Sequence, residues 1–326
     1  MIDPRLAFGV LLAIFTLSPA TSAQEWAQWR GPGRDGLVSD KSAPAVWPEQ
    51  LQRTWRVEIG EGYSSPVVSA GRVFVHSRRD PEEIVTAVNL ADGKVAWEQK
   101  YEAAFKKNQY AVEMAKGPNA TPLVMGNRLF TLGVTGVLTA WDTGTGRNLW
   151  VRDFSPTIDT SKLFCGTAAS PLAVNGRVVV QVGSDIHGGK ILGLDPVTGK
   201  TQWEWNGLGP GYASPVVIDV AKHSQIVTLT QGSIIGIDAK NGKELWSMPF
   251  PDEWHENIAT QLWTGSHLIV SGTRQGTHAY TLAEKDGKWQ AIEVWKNPEV
   301  AMYMSSPVFG DGLIYAHSSK KKGQLV

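Results

Sequence analysis

The side chains able to do acid–base, nucleophilic or metal chemistry are few in this chain, and their spacing favours none of it. Among 326 residues there are seven histidines and one cysteine, Cys165. A lone cysteine forms no intrachain disulfide and no multi-thiolate metal site. No His-Glu-x-x-His spacing occurs, so a histidine metal site has little support. His255 in "PDEWHENIA" and His187 in "SDIHGGK" read as loop residues, and His76 and His317 as structural or surface ones. Gly-rich stretches such as "GLGPGY" lack the Lys-Ser/Thr of a phosphate loop, and there is no Gly-x-Ser-x-Gly elbow. What remains is a polar and aromatic set: Tyr63, Asn119, Thr167, Tyr212, Asn257 and Tyr303. Tyr and Asn gathered around one mouth suit polar, stacking recognition of a peptide or glycan. The simpler reading is that they cap a channel and order water.

These six residues lie just ahead of the Ser/Thr-Pro step of a recurring phrase. It reads "YSSPVVSAGRVFVHS" (63–77), "NATPLVMGNRLFTLG" (119–133), "AASPLAVNGRVVVQV" (168–182), "YASPVVIDVAKHSQIVTL" (212–229) and "MSSPVFGDGLIYAHS" (304–318). A sixth, degenerate copy at 258–272 has Gln261 in place of Pro. Proline suits a strand start, where its missing N–H can face away from the ladder.

A second phrase follows four of these copies: "NLADGKVAW" (89–97), "DTGTGRNLW" (142–150), "DPVTGKTQW" (195–203) and "DAKNGKELW" (238–246). Asp or Asn bonds the backbone of the turn it opens, and Gly supplies the positive φ that closes it. The Gly/Trp pairs Gly93/Trp97, Gly146/Trp150, Gly199/Trp203 and Gly242/Trp246 keep one interval. A tight turn followed by an anchoring Trp, recurring every 40–55 residues, predicts four-stranded units packed in series. The fold expected is all-β, a β-propeller of about six blades. Residues 101–116 are expected as a helix or structured loop inserted between the first two blades.

The two phrases together resemble the PQQ-like β-propeller repeat, the superfamily of the quinoprotein alcohol dehydrogenases and the outer-membrane assembly factor BamB. "WAQWRGPGRDG" (26–36) and "KGPNATPLVMGNRLFTLG" (116–133) look like an exported bacterial branch of it. The resemblance covers about residues 26–326 and implies fold far more than activity. Its dehydrogenases carry pyrroloquinoline quinone (PQQ) under a vicinal disulfide, with a calcium cluster and a catalytic Asp. One cysteine and no suggestive carboxylate cluster leave that apparatus unsupported here. The expectation is therefore no catalytic residue, no metal and no cofactor, with PQQ as the alternative. A non-catalytic scaffold is expected to bind envelope or secreted proteins, and a carbohydrate-binding propeller is a further alternative.

Lys+Arg and Asp+Glu balance at 31 each, so no field argues for nucleic acid. Arg5, the apolar run 6–17 and small residues at Thr21 and Ala23 form the pattern of a secretory signal. An uncleaved anchor or a mis-assigned start are its alternatives. The organisation expected is a signal peptide at 1–23, a capping segment at 24–52 and the propeller at 53–326, exported to the periplasm or beyond. No later apolar stretch reaches spanning length.

At 306–326 a sixth unit begins: two strands, the turn "SSKKKG", then "GQLV" opening a third strand. It stops before the Asp turn and Trp, which predicts an incomplete piece of a seven- or eight-bladed propeller. Alternatively "RTWRVEIG" (53–60) supplies its final strand and closes a six-bladed ring.

Overall fold

The computed structural model describes residues 25–38, 44, 46–111, 113, 115–157, 163–184 and 188–326. The signal-peptide expectation and His187 lie outside them.

Each repeat folds as an antiparallel four-stranded meander, and the described residues hold five such sheets. The first joins β1 (Val67–Ser69), β2 (Arg72–Arg79), β3 (Glu82–Asn89) and β4 (Val95–Glu102). The second joins β5 (Leu123–Met125), β6 (Arg128–Leu132), β7 (Val137–Asp142) and β8 (Asn148–Asp153). β9 (Leu172–Val174), β10 (Arg177–Ser184), β11 (Gly188–Leu194) and β12 (Thr201–Gly207) form the third. β13 (Val216–Val220), β14 (His223–Leu229), β15 (Ser233–Asp238) and β16 (Glu244–Pro249) form the fourth. β17 (Leu262–Trp263), β18 (Leu268–Gly272), β19 (Gly276–Lys285) and β20 (Lys288–Asn297) form the fifth. Two short hairpins begin a sixth unit: β21 (Val308–Gly310) with β22 (Leu313–Tyr315), and β23 (His317–Ser318) with β24 (Gln324–Leu325).

The strand sequences follow from sheets stacked face to face. The second and third strands are buried on both faces and read as near-continuous apolar runs, as in "RVVVQV" of β10. The fourth strands alternate, as in "VAWEQKYE" of β4, because their outer face meets water. The main core clusters are shared by successive sheets. Phe74, Val85 and Trp97 of the first pack with Val124, Leu129 and Trp141 of the second. Phe309 and Ile314 of the sixth unit pack against Leu262 and Ile269 of the fifth.

The Asp turn does what its residues dictate. Asp142 Oδ1 accepts from Thr145 N and Oγ1, both at 2.8 Å, and Gly146 N donates back to Asp142 O at 2.8 Å. Asp195 repeats the pattern with Thr198. These bonds hold the Asp142 and Asp195 carboxyls below the usual carboxylate range. The Trp that follows docks on the turn of the next blade. Trp97 lies over Gly146 and donates to Thr143 O at 2.9 Å; Trp150 lies over Gly199 and donates to Pro196 O at 3.1 Å. Trp203 lies over Gly242. A Cβ on any of these glycines would sit 2.3–2.9 Å from the indole, so the turn needs glycine for contact as well as for φ. Trp246 departs from the series. The fifth sheet has a long hairpin instead of the turn motif, and Trp246 Nε1 donates inward to Gln225 Oε1 at 2.7 Å.

Residues 53–60 form no ladder among the described residues, yet Trp55 lies over Gly93 and donates to Leu90 O at 2.8 Å. It occupies the place of a preceding blade's Trp. Residues 103–108 carry neither helix nor strand, so for the described residues of 101–116 the loop reading stands, with Ala103 and Phe105 buried. At the far end, Ser319–Lys321 make a helical turn and Lys322 takes φ +54° before Gly323, which returns the chain into β24. The Lys run is a turn within the sixth unit.

Candidate functional site: an axial cavity

The hydroxyl before each proline has a function that its residue type alone did not reveal. Ser65 N donates to Thr121 Oγ1 at 3.0 Å, Thr121 N to Ser170 Oγ at 3.0 Å, and Ser170 N to Ser214 Oγ at 3.0 Å. Ser214 N donates to Thr260 Oγ1 at 3.3 Å, and Thr260 N to Ser306 Oγ at 3.0 Å. Six units are thus laced by a belt of backbone-to-hydroxyl bonds at the start of their innermost strands. A backbone N–H left without a ladder partner there needs an acceptor, and the next unit's hydroxyl supplies it. In the degenerate fifth copy Thr260 keeps the belt, while Gln261 replaces proline and donates to Ser214 O and Val227 O.

Below the belt, residues 26–36 cross the axis. Trp26 pairs with Val68, Val124 N donates to Ala27 O at 2.7 Å, and Arg34 donates to Ser170 O and Pro171 O. Trp29 Nε1 reaches Thr260 Oγ1 at 3.3 Å, and Arg30 donates to Pro307 O. The segment therefore touches the first, second, third, fifth and sixth units. Arg34 is 3% exposed, and burial, then the charge of Arg30, pull its pKa down.

Above the belt is a cavity of about 390 Å³. Equivalent residues of all six units contribute to its wall, so it lies on the axis. Of the six residues expected at the mouth, Tyr63, Asn119, Tyr212 and Tyr303 line it. Asn119 Nδ2 donates to Cys165 O at 2.7 Å. The hydroxyls of Tyr63 and Tyr212 accept from Ala115 N and Phe164 N, each at 3.1 Å, which ties each ring to a neighbouring loop. Tyr303 donates to Glu256 Oε1 at 3.2 Å.

Thr167 and Asn257 do not line this cavity. Thr167 is 6% exposed, with its N–H on Val134 O. Asn257 is fully buried, and its amide donates to Thr230 O, Gln231 O and Phe250 O. It is an internal brace for loop carbonyls that have no ladder partner. In the fifth unit the residues on either side of Asn257, Glu256 and Ile258, line the cavity instead.

Trp29, Phe164, Cys165, Glu256 and Met304 line the cavity without having been singled out from sequence. Trp29, Phe164, Cys165 and Glu256 come from segments outside the repeat, so no spacing marks them, while Met304 opens the last copy of the phrase, at the place of Tyr63, Asn119 and Tyr212. Burial, then Glu256, push the Cys165 thiol up to about 11, with Lys107 opposing. Burial, then Glu256, push the Tyr303 phenol up to about 12. Beyond Phe164 and Tyr212 a second, open groove of about 630 Å³ carries the exposed rings of Tyr110 and Trp254 beside Glu253 and His255. Arg274 stacks over Trp254 with 5.8 Å to the ring centroid.

Repeated four-stranded sheets around one axis, laced at the hub and linked by Trp-on-turn contacts, define a β-propeller of PQQ-like repeats. The chain belongs to the family described as outer membrane protein assembly factor BamB, whose profile matches residues 81–326. BamB of Moranella endobia is 24% identical over 287 residues, which is 84% of this chain and 64% of that protein. The quinohemoprotein alcohol dehydrogenase of Comamonas testosteroni is 26% identical over 201 residues, 55% of this chain and 26% of that one. The chain thus spans between a quarter and just under two thirds of the length of these curated relatives. The crystal structure of BamB from Moraxella catarrhalis superposes with a TM-score of 0.54 at 16% identity, covering 78% of this chain and 72% of that one. A europium-containing methanol dehydrogenase gives 0.55 at 16% identity, covering 81% and 63%. These two likenesses show the fold.

The dehydrogenase relatives raise the question of whether a quinone cofactor fits. PQQ is a tricarboxylic acid, and a buried polyanion needs cationic or metal partners. The described residues lining the axial cavity include one carboxylate, Glu256, and no Lys or Arg. No group of three or more His, Cys, Asp or Glu among the described residues is placed to hold a metal. That donor set does not fit the cofactor.

Proposed function

We propose that this chain is a non-catalytic propeller of the cell envelope that binds other envelope proteins as an assembly scaffold. The family match over residues 81–326 carries this reading, and the quinone-averse chemistry of the axial cavity supports it. Relatives named for outer-membrane protein assembly suggest partners from that machinery. The apolar run 6–17 supports export to the periplasm. No helix among the described residues is long and apolar enough to cross a membrane. Loop faces and sheet edges of a propeller suit β-augmentation and loop capture.

The test is reconstitution. The purified chain is mixed with purified outer-membrane assembly proteins from the same organism and run on a sizing column. A co-eluting complex of fixed stoichiometry is the expected result. The dehydrogenase relatives set the opposing arm, titration with PQQ and calcium. Micromolar quenching of tryptophan fluorescence with alcohol-dependent dye reduction, and no complex, would replace the scaffold with an oxidoreductase.

A further inference from the structure

The axial cavity combines three properties that point to one ligand chemistry. Its wall is mostly rings and aliphatic groups, among them Trp29, Tyr63, Phe164, Tyr212 and Met304. It holds one carboxylate, half-buried Glu256, whose Oε1 takes a hydrogen bond from Tyr303. Among the described residues no Lys, Arg or His comes within ion-pair distance of Glu256. The neighbouring acids are otherwise engaged. Asp252 caps the N–H groups of Trp254 and Glu256 at 3.0 Å each, and Arg274 lies 3.9 Å from Asp252 and 3.4 Å from Glu253.

We infer that the axial cavity is a binding site for a protonated alkylamine, with Glu256 as its counter-ion and the surrounding rings as its apolar and cation–π wall. A carboxylate facing a ring-lined cavity is costly unless a cation joins it, and an alkylammonium brings both the charge and an apolar stem to cover the rings. A neutral sugar would leave the charge uncompensated, and a carboxylate ligand would meet Glu256 as a like charge. Burial first, then the Glu256 charge, push the Tyr303 and Cys165 protons to higher pKa. With both held protonated at neutral pH, neither adds charge to the wall. Lys107, which bears on Cys165, is not part of the lining. The ammonium has two sources: the lysine side chain of a partner protein, or a free amine. The inference stands apart from the scaffold reading, because it needs no partner complex.

Calorimetry on the purified chain tests it with two probes, Nα-acetyl-lysine methylamide and cadaverine. The neutral Nε-acetylated form of the first is the control. Saturable binding of either amine is expected, with the neutral control weaker by about tenfold or more. Glu256→Gln is expected to abolish that preference while the variant still melts cooperatively. Binding of the blocked lysine alone would name a protein side chain as the source, and of cadaverine alone a free amine. Absence of saturable binding by both amines overturns the site, as does equal affinity for the neutral control. If Glu256→Gln does not fold, the charged-against-neutral comparison on the wild-type chain still decides. Failure here would leave an assembly complex, if found, untouched.

Discussion

At Glu83 a carboxylate with no exposed surface sits among His76, Tyr101 and Arg78 at the seam between the first two sheets. Tyr101 donates to Oε2 at 2.5 Å, Val134 N to Oε1 at 2.9 Å, and His76 Nε2 lies 3.3 Å from Oε2. Burial alone pushes this carboxyl up. The hydrogen bond and charge of His76, with the bonds from Tyr101 and Val134, outweigh it and hold the group below its usual 4.5. Burial and the Glu83 charge push the Tyr101 phenol well above its ordinary value. Because the native carboxyl is depressed, its stabilisation is fully present above 4.5 and is lost as pH falls through the lower native value. Glu83→Gln should cost about 3 kcal/mol near neutrality and flatten the acid limb of stability against pH. Urea titrations from neutral pH down to the carboxylate range check both, and an unchanged acid limb would refute the assignment. His76 and His317 hold equivalent repeat positions, yet His317 is exposed, with Nδ1 2.8 Å from Gly323 O.

The element that repeats is a hairpin whose Trp is completed by the next hairpin's turn. Opposite Trp97 and Trp150 stand Ala87 and Ala140, and opposite Trp203 and Trp246 stand Gly193 and Gly236. In each of these sheets the register shifts just beyond that pair, toward the turn. A small residue leaves room for the indole across the strand, and the bulge adds local twist. Gly146→Val should cost about 2 kcal/mol or more, from a β-branched residue at φ +73° and a Cβ 2.7 Å from the Trp97 ring. Gly176→Val is its control, a turn glycine at φ +71° with nothing within 4 Å of the added Cβ. Melting curves of the two should separate contact from backbone strain. Equal destabilisation would mean that the Trp97 contact adds nothing.

Across the whole molecule, the sheets meet face to face at the core clusters, and the hub is held by the hydroxyl belt above and residues 26–36 below. Arg34 is the buried pin of that lower segment, at Ser170 O and Pro171 O. Arg34→Met keeps much of the volume and removes the charge-assisted bonds to Ser170 O and Pro171 O along with the one to Gln28 Oε1. It should destabilise the chain by about 2–3 kcal/mol and speed hydrogen exchange at residues 26–36 and at the starts of β5 and β9. Exchange that rises equally in the outer strands β4 and β8 would mean a general loss of stability and no specific role for the segment. Opening of this floor also bears on the cavity, because Trp29 belongs to both.

By itself the sequence determined the local chemistry: Asp that opens a turn, Gly that closes it, Trp at a set interval, and Ser/Thr-Pro at a strand start. Those choices depend on neighbours a few residues away, so the period, the four-stranded unit and the all-β class could be read directly. The mouth was legible in part. Tyr63, Asn119, Tyr212 and Tyr303 follow from the repeat, since equivalent positions of successive units converge on one axis. Thr167 and Asn257 stand one residue further from the strand start than Tyr63, Asn119 and Tyr212, so both are buried, Ala168 and Ile258 take the lining place, and Glu256 also reaches the cavity. Only the tertiary structure decided that Glu256, Trp29 and Cys165 meet there. They lie in three segments far apart in the chain, outside the repeated phrases, and share no spacing. Their proximity comes from the circular arrangement of blades, which no local pattern encodes. The belt shows the same division: the hydroxyl before proline is plain in the sequence, while its partner, the N–H of the preceding unit, exists only once the units are side by side.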